Sequence, residues 1–323
     1  MSRPLLLALL AALVAILFAG SLMAGKLWVP FSAWFSADPR WWIVLELRVP
    51  RAILGTAIGA GLGLTGAVLQ GYLRNPLADP AVVGVSSSAA LGAVATIVLI
   101  AAATPLLVFA GAMAAGCGSM LLLAGLAWRA DSAVAFVLAG TVLASLSAAL
   151  TAFLISIAPN PYAVAEIIDW IMGSLTDRSF AEAQLAVPFI AAGCVLLLLT
   201  GRALDALTLG EDAARSLGVR LARTQLLIVL GAGLAVGASV AVTGVVGFVG
   251  LIVPHLLRPL TGARPGALLL PSLFGGAALV LAADSLVRLA PGAQELRLGV
   301  AMSLLGAPFF LLLVLRLRNS AWR

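Results

Sequence analysis

From Pro80 to Trp128 the chain runs without one Asp, Glu, Lys, Arg or His, and the same holds for 52–73, 132–165, 183–201 and 298–315. Roughly 20 apolar residues are enough to cross a hydrocarbon core of about 30 Å. Stretches this long and this uncharged cannot be the interior of an ordinary soluble domain, where about a quarter of residues are charged. Here only 10% are charged, 63% are hydrophobic, and the mean hydropathy is +1.15. Within lipid the backbone finds no water, so only helices or a closed barrel satisfy it. A barrel would show alternating segments of about ten residues. The runs here are continuous and rich in Ala and Leu, and they predict an all-α polytopic membrane protein.

Splitting at charges, prolines and polar clusters predicts about ten spans, at 5–25, 49–73, 83–101, 105–127, 133–158, 185–201, 224–243, 246–257, 266–288 and 298–315. Pro159, Asn160 and Pro161 break the chain after the fifth. Arg3 and the apolar run behind it resemble a secretory signal, but further spans follow, so the first is expected to stay as a helix. Trp28, Trp34, Trp41 and Trp42 suit an interfacial belt. Gly55, Gly59 and Gly63 share one helix face, which predicts close helix packing. Thr65-Gly66 precedes Pro76 by the same interval as Thr243-Gly244 precedes Pro254, a faint sign of the repeats found in transporters.

Orientation follows from the basic residues. With the N-terminus inside, the inner segments hold 12 of the 19 basic residues and five of the 13 acidic ones, as the positive-inside bias requires. Both termini then lie in the cytoplasm. So does an island of charge containing Arg202, Asp205, Glu211, Asp212, Arg215, Arg220 and Arg223. Glu211 and Asp212 suit the start of a short helix, Arg215 its end, and Gly218 its stop. The island reads either as a solvated loop of helical character or as a surface that receives force from a cytoplasmic partner.

The spans hold few groups for proton coupling, since ionisable residues at depth persist only for a task. Gly20 to Lys26 has the G-x-x-x-x-G-K spacing of a phosphate loop, but Leu27 follows where Ser or Thr would hold magnesium, and no strand precedes it. ATP chemistry, if any, is expected in another chain. The single histidine, His255, lacks partners for a triad or metal site, and Cys117 and Cys194 sit in apolar runs. No catalytic residue, metal, cofactor or nucleic-acid partner is expected.

Five segments resemble the FecCD-type permeases: Arg48-Val49-Pro50-Arg51, Arg74-Asn75-Pro76-Leu77-Ala78-Asp79-Pro80, Gly210 to Val219, Gly247 to His255, and Gly306-Ala307-Pro308-Phe309-Phe310. That resemblance implies a membrane subunit of an ABC importer with the type II permease architecture, taking up an iron–siderophore chelate, heme or cobalamin. It implies one permease domain over 1–323, a homodimer in the bacterial inner membrane, two cytoplasmic ATPase subunits and a periplasmic binding protein. By the same resemblance Glu211, Asp212, Arg215, Leu217 and Gly218, within a coupling segment 202–223, meet the ATPase. Arg48, Arg51, Arg288 and Arg297 dock the binding protein, and Asn75 and Leu77 belong to a cytoplasmic gate. Arg48 and Arg51 also fit interfacial snorkelling, and Asn75 a simple Asn-Pro turn. Arg297 stands where the family usually has proline, which suggests contact with the binding protein or an anionic ligand. The competing reading is an ion-coupled secondary transporter that needs no ATPase.

Overall fold

The computed structural model describes residues 2–81, 83–100, 103–128, 133–262, 264–291 and 295–320. Arg129, Asp131 and Arg323 of the charge count lie outside these residues. The regular structure among the described residues is all helical, with no strand among them. In chain order the helices are α1 (Arg3–Met23), a short turn α2 (Arg40–Trp42), α3 (Val49–Tyr72), α4 (Val85–Leu99), α5 (Pro105–Trp128), α6 (Ala133–Ser156) and α7 (Pro161–Ile171). Then follow α8 (Phe180–Leu198), α9 (Gly201–Leu207), α10 (Glu211–Ser216), α11 (Leu221–Thr243), α12 (Val249–Leu257), α13 (Pro265–Leu289) and α14 (Leu298–Ser320). Seven helical stretches are long and apolar enough to cross a membrane, and Val85–Leu99, Val249–Thr261 and Leu298–Leu313 are shorter apolar ones. Each of the ten expected spans coincides with one of these.

One boundary and one whole helix differ from the expectation for local reasons. The helix expected at 185–201 starts five residues earlier, at Phe180, because Ser179 and Glu182 form a capping box: the Ser179 N–H donates to Glu182 Oε2 at 2.9 Å. Helix α7 was not expected at all. Asn160, read only as a breaker, accepts the Ala163 N–H at 2.9 Å and starts a helix with Pro161 in its first turn.

The axis of the bundle is α3, packed against α13, α8, α12 and α11. Four glycines let the backbones meet. A methyl on Gly59 would fall 2.3 Å from the Gly276 carbonyl oxygen, and one on Gly63 would fall 2.4 Å from that of Ser272. On Gly66 it would fall 2.0 Å from the Gly250 oxygen, and on Gly276 2.0 Å from that of Gly59. Such distances are far inside van der Waals contact, so no side chain fits. Gly55 differs from its expected companions, since a methyl there would meet only side chains, those of Leu175, Leu281 and Val280, at ordinary distances of 3.4 to 3.8 Å.

A helical path runs unbroken from Arg40 into α3, and Ile43–Arg48 are wound as a wider π-helix. Pro50 in the first turn of α3 has no N–H to donate, so the backbone ladder is already loosened there. This join carries Arg48 and Arg51. Beside it Trp34 contacts Phe31, Phe35 and Trp41, in keeping with the expected aromatic cluster.

Candidate functional site

Three groups of residues stand out, one at each end of the bundle and one around α12. At the basic end, α9 and α10 form a knob. Leu204, Leu207 and Ala214 anchor it by burial. The Asp205 carboxylate accepts the Gly266 N–H at 2.7 Å, tying α9 to the start of α13. Gly210 (φ 101°) and Gly218 (φ 84°) bracket α10 in conformations that L-residues avoid, and neither has a neighbour within 4 Å of where a Cβ would stand. Arg215 lies 3.5 Å from both Glu211 and Asp212, an exposed triad worth little for stability. Leu209 and Leu217 are 68% and 65% exposed. Charges and leucines pointing away from the bundle suit a contact surface, and the knob is helical, as the island predicted.

At the opposite end, the arginines that the resemblance assigns to binding-protein docking are mostly buried. Arg48, Arg51 and Arg288 are only 5%, 8% and 3% exposed. Arg51 Nε and Nη2 donate to Asp284 Oδ1 at 3.0 and 2.9 Å, and its Nη1 donates to Glu295 Oε2 at 2.9 Å. Arg288 forms an ion pair with Asp284 at 3.1 Å, one helical turn away. Arg48 donates to the carbonyls of Leu22, Met23 and Leu27, and Arg288 to the Ala24 carbonyl and the Ser21 hydroxyl. The physical cause is the end of α1. Its last carbonyls have no partner within the helix and carry the negative pole of the dipole, so they draw cations. The turn that mimics a phosphate loop therefore presents carbonyls and holds two guanidinium groups, the opposite of an anion cradle. Neither arginine snorkels.

The cluster still reaches the outside. Arg48, Arg51, Arg288 and Lys26 line a cavity of about 180 Å³ together with Asp177 and Glu295. Burial works to raise the pKa of Glu295, yet the charge and hydrogen bond of Arg51 outweigh it and hold this carboxyl below its usual range. Asp284, which sequence reasoning missed, is the hub. The available signal is a lone acid in an otherwise apolar span. Arg297 pairs with Asp169 of α7 at 3.0 Å and keeps 31% of its side chain exposed. It ties α7 to the approach of α14.

The third group joins segments far apart in sequence. Asn75 Oδ1 accepts the Leu77 N–H at 2.9 Å, which makes the Asn-Pro turn, and both residues are half-buried. Arg74 just before it has φ 48°. This turn delivers Pro80, whose Cδ is 3.0 Å from a Cβ position on Gly250. Gln70 donates to the Gly250 carbonyl at 3.0 Å and accepts from Arg258 at 2.6 Å. On the far side of α12, a methyl on Gly306 would fall 2.1 Å from the Phe248 ring, and His255 packs edge-on against Phe309 at 5.7 Å. Three of the five motif segments thus converge on α12, whose entry residue Phe248 has φ 67°. Among the described residues no group of three or more His, Cys, Asp and Glu could hold a metal ion. Cys117 and Cys194 are free thiols.

Among the described residues, ten apolar helices carry a protruding charged knob at one end and a buried ion cluster at the other, the architecture of a multi-pass membrane protein. The model of the FecCD transport family matches residues 12–316, and the chain belongs to that family. It is 37% identical over 324 residues to the hemin transport system permease protein HmuU of Yersinia pestis, covering 98% of this chain and 97% of that protein. It is 39% identical to the vitamin B12 import system permease protein BtuC of Vibrio cholerae, over 93% and 90% of the two chains. Against the Fe(3+) dicitrate transport system permease protein FecD of Escherichia coli K12 the identity is 35%, over 92% and 94%. A solved metal-chelate type ABC transporter in an inward-facing conformation superposes with a TM-score of 0.85 at 31% identity, covering 97% of this chain and 99% of that one. These relatives are permease subunits, not enzymes.

Proposed function

We propose that this chain is the permease subunit of an ABC importer that moves a large metal chelate (an iron–siderophore, heme or cobalamin) into the cell by alternating access. The observation that carries this reading is the knob. A rigid pair of short helices, docked on α13 through Asp205, exposes Leu209, Leu217 and the Glu211–Asp212–Arg215 triad to a partner. With the positive end inside, that partner is a cytoplasmic ATPase, one per copy of a permease homodimer in the bacterial inner membrane. Glu211, Asp212, Arg215, Leu217 and Gly218 are the contact residues.

A periplasmic binding protein docks at the other end. Arg297 meets it at the rim. Arg48, Arg51 and Arg288 act from within the 180 Å³ cavity, where an entering carboxylate would compete with Asp284 and Glu295. Charge pairs of this kind fix register and speed encounter more than they add affinity. Asn75 and Leu77 belong to the inner gate, because their turn seats Pro80 on α12. An ion-coupled transporter finds less support, since the knob has no task in it.

The test is reconstitution with the cognate ATPase. Arg215→Glu and Gly218→Trp are expected to leave insertion intact and to separate ATP hydrolysis from uptake, reducing transport at least about tenfold. Unimpaired ATP-driven uptake in both variants refutes the coupling assignment, and uptake by the permease alone refutes the ABC reading.

A further inference from the structure

Near the Arg297–Asp169 pair, and also lined by α7, lies a larger cavity of about 540 Å³. Its walls are mixed in polarity. Phe109 of α5, Leu185 of α8 and Trp170 of α7 supply apolar surface, while Arg178, Glu166 and Glu182 supply charge. Arg178 is the anomaly. Its Nε is buried with no hydrogen-bond partner, and no carboxylate among the described residues lies within ion-pair distance of it. Burial, the largest influence, pulls its pKa below the usual arginine value against the pull of Glu182 and Asp177, and Arg297 lowers it further. Glu182 lies beyond ion-pair distance, with its Oε2 engaged by the Ser179 N–H and hydroxyl in the capping box. Glu166 is exposed and makes no ion pair.

Arg178 as a whole is half-buried, but a guanidinium with its Nε buried and unpaired is a costly arrangement that an arriving anion would relieve. A guanidinium fork matches phosphate oxygens in two places at once. The apolar walls beneath it suit hydrocarbon. We propose that this cavity holds an outer-leaflet phospholipid bearing a primary amine, with its phosphate on Arg178, its ammonium on Glu166 and the start of an acyl chain against Phe109 and Leu185. Among the described residues the cavity sets one cation, Arg178, against the acids Glu166 and Glu182, which complements a zwitterionic headgroup and disfavours a purely anionic one. A lipid seated there would brace α7 against α5 and α8. The leaflet rests on the orientation proposed above, whereas the lipid site itself does not depend on transport.

Native mass spectrometry of the delipidated full-length permease, supplied with dioleoyl phosphatidylethanolamine, tests the proposal. The wild type is expected to retain one more lipid per chain than Arg178→Leu, whose affinity for that lipid should fall about tenfold or more. Glu166→Gln should keep binding but lose the preference over dioleoyl phosphatidylglycerol. Lipid-free Arg178→Leu should melt no lower than the wild type, since it loses an unpaired charge. That separates lost binding from lost folding. If Arg178→Leu does not accumulate, Arg178→Lys replaces it, and a loss of about tenfold is expected as the fork is removed. Equal lipid retention by the wild type and the Arg178 variants overturns the site. Saturation by inorganic phosphate or soluble glycerophosphoethanolamine at the same concentrations overturns the lipid. Equal binding of the two lipids by the wild type overturns the role of Glu166.

Discussion

Replacing Asp284 by Asn removes one charge and leaves the shape almost unchanged. The carboxylate is 2% exposed and serves two arginines, Arg51 at 2.9 Å and Arg288 at 3.1 Å. With it, the cluster holds three arginines against two carboxylates, and without it three against one. Breaking a buried pair by deleting one partner costs about 3–5 kcal/mol, because the remaining charge stays desolvated. Part of that cost is offset here. Arg51 keeps Glu295 at 2.9 Å, and Arg288 keeps the Ala24 carbonyl at 3.1 Å and the Ser21 hydroxyl. The lower end, about 3 kcal/mol, is therefore expected. At about 2 °C per kcal/mol for a chain of this size, the melting midpoint should fall by roughly 6 °C. Tryptophan fluorescence of the permease in lipid nanodiscs reads this, at one fixed scan rate because membrane proteins of this size unfold irreversibly. A second variant isolates the electrostatic cause. Asp284→Leu combined with Arg288→Met replaces a charge pair with apolar volume and should recover more than half of the loss. If Asp284→Asn melts within about 1 °C of the wild type, the carboxylate does not hold the cluster and the reasoning fails.

Other expectations follow from single contacts. Gly66→Ala pushes a methyl against the Gly250 oxygen from 2.0 Å, with backbone on both sides. A cost of about 2–3 kcal/mol and a sharp drop in detergent-extracted yield should result, whereas Gly55→Ala, with room to spare, should be close to neutral. Asn160→Ala removes the cap of α7 and should cost about 1 kcal/mol, seen as faster amide exchange over 161–171. Glu295 has a depressed pKa, so its contribution is complete above the ordinary value of 4.5 and is lost as pH falls through the lower, folded-state value. The melting difference between the wild type and Glu295→Gln should accordingly be flat from about pH 6 to 8 and shrink below about pH 4. A difference that grows on acidification would refute the pairing with Arg51. Arg297→Pro removes the contact to Asp169. It is expected to weaken capture of the binding protein in a pull-down, and unchanged capture and uptake together would show that this arginine serves only α7.

The absence of charge from long stretches decided, before any coordinates, that the chain is helical and lies in lipid, because a bilayer offers the backbone no other partner. The number and order of the spans followed, as did the charge-rich segment between α8 and α11. The five motif segments led to the FecCD family. What the sequence could not express is which face of each helix looks inward. In a soluble protein polarity marks the outside, but here lipid and core are equally apolar, so buried and exposed faces read alike. The packing of α3 on α13 and α12 is settled by glycines whose backbone neighbours lie 180 or more positions away. The cations that the resemblance assigns to docking turned inward for the same reason. Asp284 stands 233 residues from Arg51, and the carbonyls ending α1 look like nothing in a string of letters. Only the tertiary structure brings a helix end, a lone acid and three arginines to one place, where each removes the cost of burying the others.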